Sequence, residues 1–144
     1  MQPIFRFSAL ICLAAAGFGG GAVSANELFQ TLDTSKDALA PYRWENRPVI
    51  LLAPSPHDPS YRQAISALEA VSSDLRERDI VVLSDVSPDD PSALRDRLAP
   101  PGFMMLLIGK DGGIKLRSDS VISLETLKET IDAMPMRKRE MREE

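Results

Sequence analysis

From Arg47 onward the apolar residues follow two rhythms. Arg47-Pro48-Val49-Ile50-Leu51-Leu52-Ala53, Ile80-Val81-Val82-Leu83 and Phe103-Met104-Met105-Leu106-Leu107-Ile108 are short and almost unbroken apolar runs. They are too short for buried helices and too continuous for strands with one wet face, so they predict three strands buried on both faces of a sheet. Ile114-Lys115-Leu116-Arg117 alternates instead, as an edge strand does. The preceding Gly109-Lys110-Asp111-Gly112-Gly113 supplies residues that tolerate positive φ, which predicts a hairpin. Between these runs the spacing changes to three and four. Tyr61, Ile65, Leu68, Val71 and Leu75 form one helical stripe, opened by Asp58 as cap and Pro59 in the first turn. Asp90-Pro91 repeats that start for a short helix ending near Leu98. Ser123 caps a last helix striped by Leu124, Leu127, Ile131 and Met134, with Pro135 as its stop.

The remaining segments lack such rhythm. Residues 26–46 scatter Leu28, Phe29, Leu32, Leu39, Tyr42 and Trp44 among polar positions and read as an irregular lead-in. Residues 136–144 mix arginines, Lys138 and glutamates with no apolar stripe, which predicts a charged tail that extends the last helix into solvent, with a partner-binding role as the alternative. The domain is then 47–135. Residues 1–25 differ in kind: Arg6 is the single charge, Phe7 to Gly20 is nearly all apolar, and Val23-Ser24-Ala25 has the small-x-small form of a signal-peptidase site. The expectation is a signal peptide cleaved after Ala25, with no stable membrane anchor remaining, since a span needs about 20 apolar residues.

That expectation changes the chemistry open to the chain. The sole cysteine, Cys12, leaves with the leader, and a mature chain in a periplasmic, oxidising compartment then has neither disulfide nor thiolate. Losing Arg6 takes the net charge from −4 to −5. An acidic whole argues against nucleic-acid binding, which depends on a basic surface.

Strand, helix, strand, helix, strand, strand, helix, with the last two strands antiparallel, is the layout of the thioredoxin fold. The predicted class is α/β, a three-layer fold with a mixed four-stranded sheet and helices on both faces. The resemblance extends to particular stretches: Tyr42-Arg43-Trp44-x-x-Arg47-Pro48, Ala53-Pro54-Ser55-Pro56, Leu107 through Arg117, and Ile131 through Arg137. In these the chain resembles a family of bacterial exported thioredoxin-like proteins known as a domain of unknown function, and is similar to domains in secreted animal proteins with sushi repeats. The resemblance implies a thioredoxin-like core and, by fold analogy, a redox-associated role.

In a thioredoxin the paired cysteines occupy the turn after the first strand, where a helix N-terminus stabilises a thiolate. Here that turn is Ser55-Pro56-His57-Asp58-Pro59-Ser60. Disulfide exchange needs an attacking thiolate and has none. Two readings of the turn remain. In the first, Ser55, Pro56, His57, Asp58 and Ser60 form a binding surface for a protein or peptide partner in the cell envelope. Pro101 and Gly102 add a peptide-docking edge, because a thioredoxin carries a cis-proline just before its third strand; the plain alternative is that Pro100-Pro101-Gly102 only ends a helix. In the second, His57 with Asp58 or Ser55 serves a cysteine-independent enzyme; against it, Asp58 is wanted as a cap and a lone loop histidine is common. A redox role survives only with another protein's cysteines. No cofactor is called for, and one histidine does not complete a zinc site. Lys110-Asp111-Gly112-Gly113 lies between strands and so lacks the helix a phosphate loop requires. Trp44, Tyr42 and Phe29 read as cover for the core, with an aromatic contact patch as the alternative.

Overall fold

The computed structural model describes residues 27–144. The expected leader, its expected cleavage point after Ala25 and Cys12 lie outside the described residues. The described residues form one mixed α/β sheet structure of five strands: β1 (Phe29–Thr31), β2 (Arg47–Leu52), β3 (Ile80–Asp85), β4 (Met104–Ile108) and β5 (Ile114–Ser118). Their order across the sheet is β1-β3-β2-β4-β5, with β1, β3 and β2 parallel and β4 and β5 in antiparallel pairings.

The runs lacking polar positions became the centre of the sheet for the reason their pattern implies. Every residue of β2 and of β4 is buried, so each strand has apolar contacts on both faces and neither has a wet side. Pro48 is tolerated in the central strand because β4 pairing begins only at Val49, opposite Leu107; its missing N–H lies outside that ladder. β5 is the half-exposed edge. The hairpin before it uses Gly112 at φ +84°, with the Gly112 N–H donating to the Gly109 carbonyl at 2.9 Å.

The sheet has five strands where four were predicted. The extra one, β1, comes from the lead-in and pairs along the outer side of β3, flanked by buried Leu28 and Leu32. Phe-Gln-Thr carries no strand signal of its own; the open edge of β3 supplies the partner, through the Leu32 N–H to the Ser84 carbonyl and the Val82 N–H to the Leu28 carbonyl. The long first helix is also two, α1 (Pro59–Glu69) and α2 (Ser72–Glu77). Val71 leaves helical geometry at φ −123°, and the Ser72 hydroxyl donates to the Glu69 carbonyl at 2.7 Å, a local bond that competes with the helix ladder. The stripe still works across the break: Ala64, Leu68 and Leu75 all reach the same core.

Helix α3 (Ala93–Leu98) starts from Ser92 rather than Asp90, and α4 (Leu124–Asp132) from Ser123 as the cap pattern implies. α1, α2 and α4 cover one face of the sheet; α3 and the lead-in, with a 3-10 turn at Ala40–Tyr42, cover the other.

The tail is helical, but as a separate helix, α5 (Pro135–Glu143), with a buried arginine instead of a solvated extension of α4. Pro135 ends α4 and then occupies the first turn of α5, where its missing N–H costs nothing. The inward residues of α5 are charged, which is why no apolar stripe marks it. Arg137 is buried, and Glu140 makes a bidentate pair with Arg47 at 3.1 Å and takes a further bond from Lys110 at 2.7 Å. Lys110, read from sequence as a plain hairpin residue, is thus a buried cation shared between Glu140 and Asp79. Trp44 departs from expectation too: it is 61% exposed, in left-handed backbone at φ +68°.

Candidate functional site

The turn after β2 grows from the carboxyl ends of two parallel strands, the position at which open α/β sheets bind ligands. Its root is fixed. The Ala53 N–H donates to the Asp85 carbonyl at 2.9 Å, and one nitrogen of Arg95, from α3, bonds both the Ala53 and Asp85 carbonyls. Arg95 also pairs with the Asp85 carboxylate at 3.1 Å, while the Ser92 hydroxyl and N–H donate to the same oxygen at 2.6 and 3.0 Å. Burial works against the charge of Asp85, but Arg95 and Ser92 together hold its pKa below the ordinary value. The ends of β2, β3 and α3 are thereby tied through one buried carboxylate. Sequence reading missed Asp85, Ser92 and Arg95. The available signal was an acid closing an apolar strand, with a serine and an arginine three apart at the next helix start.

Above this root stand the residues singled out from sequence. Pro56 and His57 are exposed; Ser55, Asp58 and Ser60 are half-exposed. Asp58 accepts from the Tyr61 N–H at 2.9 Å and so caps α1, as its position implied. The Ser55 hydroxyl accepts from the His57 N–H at 3.1 Å. The His57 imidazole makes no hydrogen bond or ion pair with another described residue, so His57, Asp58 and Ser55 are neighbours without forming a relay. Tyr61 ties the start of α1 back to β3 through Ser84 at 3.2 Å.

Pro101 is exposed and Gly102 half-buried. The register sets Met104 opposite Leu52, which brings Gly102 and Pro101 to the same end of the sheet as the turn. No peptide bond among the described residues is cis, so Pro101 lacks the conformation of the thioredoxin landmark. A side chain at Gly102 would meet open space. The two prolines and the glycine act here as the link from α3 to β4, leaving an exposed rim beside the turn.

Among the described residues no three His, Cys, Asp or Glu side chains gather as metal ligands, and no helix is long and apolar enough to cross a membrane. Replacing His57 by alanine is expected to leave unfolding by urea unchanged to within about 0.5 kcal/mol, because the ring is exposed and unpartnered. A larger loss would show that the imidazole supports the turn.

With this geometry in view, the chain can be placed: residues 38–140 match the family described as Domain of unknown function (DUF4174), and the chain belongs to that family. The match begins in the lead-in and runs into α5, so the family unit takes in the 3-10 turn and the charged clasp on Arg47. Coiled-coil domain-containing protein 80 of Danio rerio is similar to it, 27% identical over 133 residues. That similarity covers 72% of this chain and 15% of the fish protein, so the chain spans under a sixth of the relative it matches.

Proposed function

We propose that this chain is an exported, thioredoxin-like module of the cell envelope, cysteine-free once its leader is cleaved, which binds a protein or peptide without catalysis. The sheet order, with helices α1 and α4 on one face and α3 on the other, supports the thioredoxin-like reading. The bacterial, exported setting rests on the resemblance and leader pattern read from sequence.

The observation that carries the binding reading is the use of the polar groups around the turn. Asp58 caps a helix, the Ser55 hydroxyl holds a tight turn, and Asp85 with Arg95 is satisfied by the strand ends. Among the described residues, no serine of the turn is hydrogen-bonded to the His57 imidazole. What faces solvent is a proline-rich rim, Pro54, Pro56, His57, Pro59 and Pro101, on a rigid base. Such a rim costs little conformational entropy on binding and suits a partner's surface.

A photo-crosslinking amino acid placed at position 57 in living cells tests this. The expected result is a reproducible adduct with one envelope protein, lost when the crosslinker is moved to exposed Glu129 on α4. A chain that gives no adduct from position 57 refutes the proposal.

A further inference from the structure

The face of the sheet covered by α3 and the lead-in carries a larger concavity. The lead-in forms one side of it, α3 another, and the β4–β5 hairpin closes it, leaving an open cleft of about 790 Å³. That volume lies in the range of small-ligand sites. Its floor is apolar, made by Leu39, Leu94 and Ile108 over the second core.

Charges of both signs line the cleft. Around Arg47, Arg78 and Arg137 nearly every cation has a carboxylate within bonding distance. In the cleft the side chains of Lys36, Arg43, Asp37, Asp96 and Arg97 have no hydrogen bond or ion pair with any described residue. Each side supplies both signs, Lys36, Asp37 and Arg43 from the lead-in and Asp96 and Arg97 from α3. Neighbours in sequence on a helix do not face each other, so Asp96 and Arg97 do not neutralise one another. The Arg43 guanidinium lies over Gly112, where a Cβ would meet its Nη2 at 3.0 Å.

We infer that this cleft is a binding site for a short zwitterionic peptide. An apolar side chain of the ligand covers Leu39 and Leu94, its carboxylate meets the cations Arg43 and Arg97, and its ammonium meets Asp37 or Asp96. A concave, partly apolar site strengthens such charge contacts relative to open water. A purely anionic ligand would leave both aspartates unanswered, and a purely cationic one would leave three cations. None of the residues that line the cleft belongs to the turn around position 57, so the inference stands or falls independently of the crosslinking result.

The test uses the tripeptide Ala-Leu-Ala with free termini, followed by fluorescence of Trp44, the only tryptophan of the chain, which adjoins Arg43. A saturable change is expected, with binding at least tenfold weaker for the same peptide acetylated and amidated, since losing about 1.4 kcal/mol of contact costs a factor of ten. Arg97→Ala, an exposed position, should weaken binding several-fold while its urea unfolding curve stays that of the parent. The inference is overturned if the capped peptide or hexanoate binds as tightly as the free tripeptide. It is equally overturned if Arg97→Ala binds like the parent, or if no saturation is seen up to about 10 mM by fluorescence and by chemical-shift titration.

Discussion

Replacing Glu140 by alanine is expected to destabilise the chain by about 3 kcal/mol, the cost of leaving a buried cation without its partner. Arg47 is 1% exposed at the start of the central strand, and both terminal nitrogens of its guanidinium bond Glu140 at 3.1 Å. Without that carboxylate the charge stays buried with only the Arg78 carbonyl as acceptor. Lys110 is affected less because Asp79 remains at 2.8 Å. Urea unfolding measures the loss; a change below about 1 kcal/mol would show that α5 is dispensable to the core. The same clasp sets a pH dependence. Burial opposes the charge of Glu140 but Arg47 and Lys110 overcome it, and Arg78 holds Asp132 low despite partial burial. Both carboxyls, like Asp85, therefore titrate below their unfolded values, which lie near pH 4. Their contribution is complete above the unfolded values and is lost as pH falls through the lowered folded ones. Unfolding midpoints should hold steady from pH 7 to about pH 5 and drop below about pH 4, and the Glu140→Ala variant should show a shallower acid limb.

Arg95→Ala should cost a similar amount, about 3 kcal/mol, for the converse reason: it strands a buried anion. Asp85 is 5% exposed, and with Arg95 gone only Ser92 and the Ser87 N–H answer its charge. The Ala53 and Asp85 carbonyls lose a shared donor as well. This variant loosens the base of the proline rim while leaving the rim residues in place. Amide exchange from Ala53 to Tyr61 should quicken more than exchange in β4. Uniform quickening would mean that Arg95 stabilises the whole fold without a special hold on the turn. The Arg95→Met change separates packing from charge, because it keeps an apolar stem of similar length, removes the guanidinium and still strands Asp85.

The sequence made some parts of this legible and hid others for definable reasons. β2 and β4 declared themselves because a strand buried on both faces has no position for a polar residue. The hairpin was visible in Gly112, since its backbone conformation is open chiefly to glycine, and α1 in the adjacent cap and proline at Asp58 and Pro59. β1 was hidden because three residues borrow their bonding partners from β3 and need no pattern of their own. The start of α3 was misread because Ser92, drawn inward by Asp85, displaced the cap from Asp90. The packing of α5 was hidden because its inward face is Arg137 and Glu140, and a charge-lined contact leaves no apolar period. At the turn, sequence placed Ser55 to Ser60 correctly at a strand end. It could not show that Arg95, forty-two positions after Ala53, sits beneath them. Pairs of that kind are created by topology alone.

The bond between Arg47 and Glu140 joins positions 93 apart in the chain. On a ribosome, the residues that neutralise the central strand are therefore the last of the domain to emerge. Until they do, the guanidinium beside the apolar run lacks its carboxylate, and the central strand forgoes the roughly 3 kcal/mol that the clasp contributes.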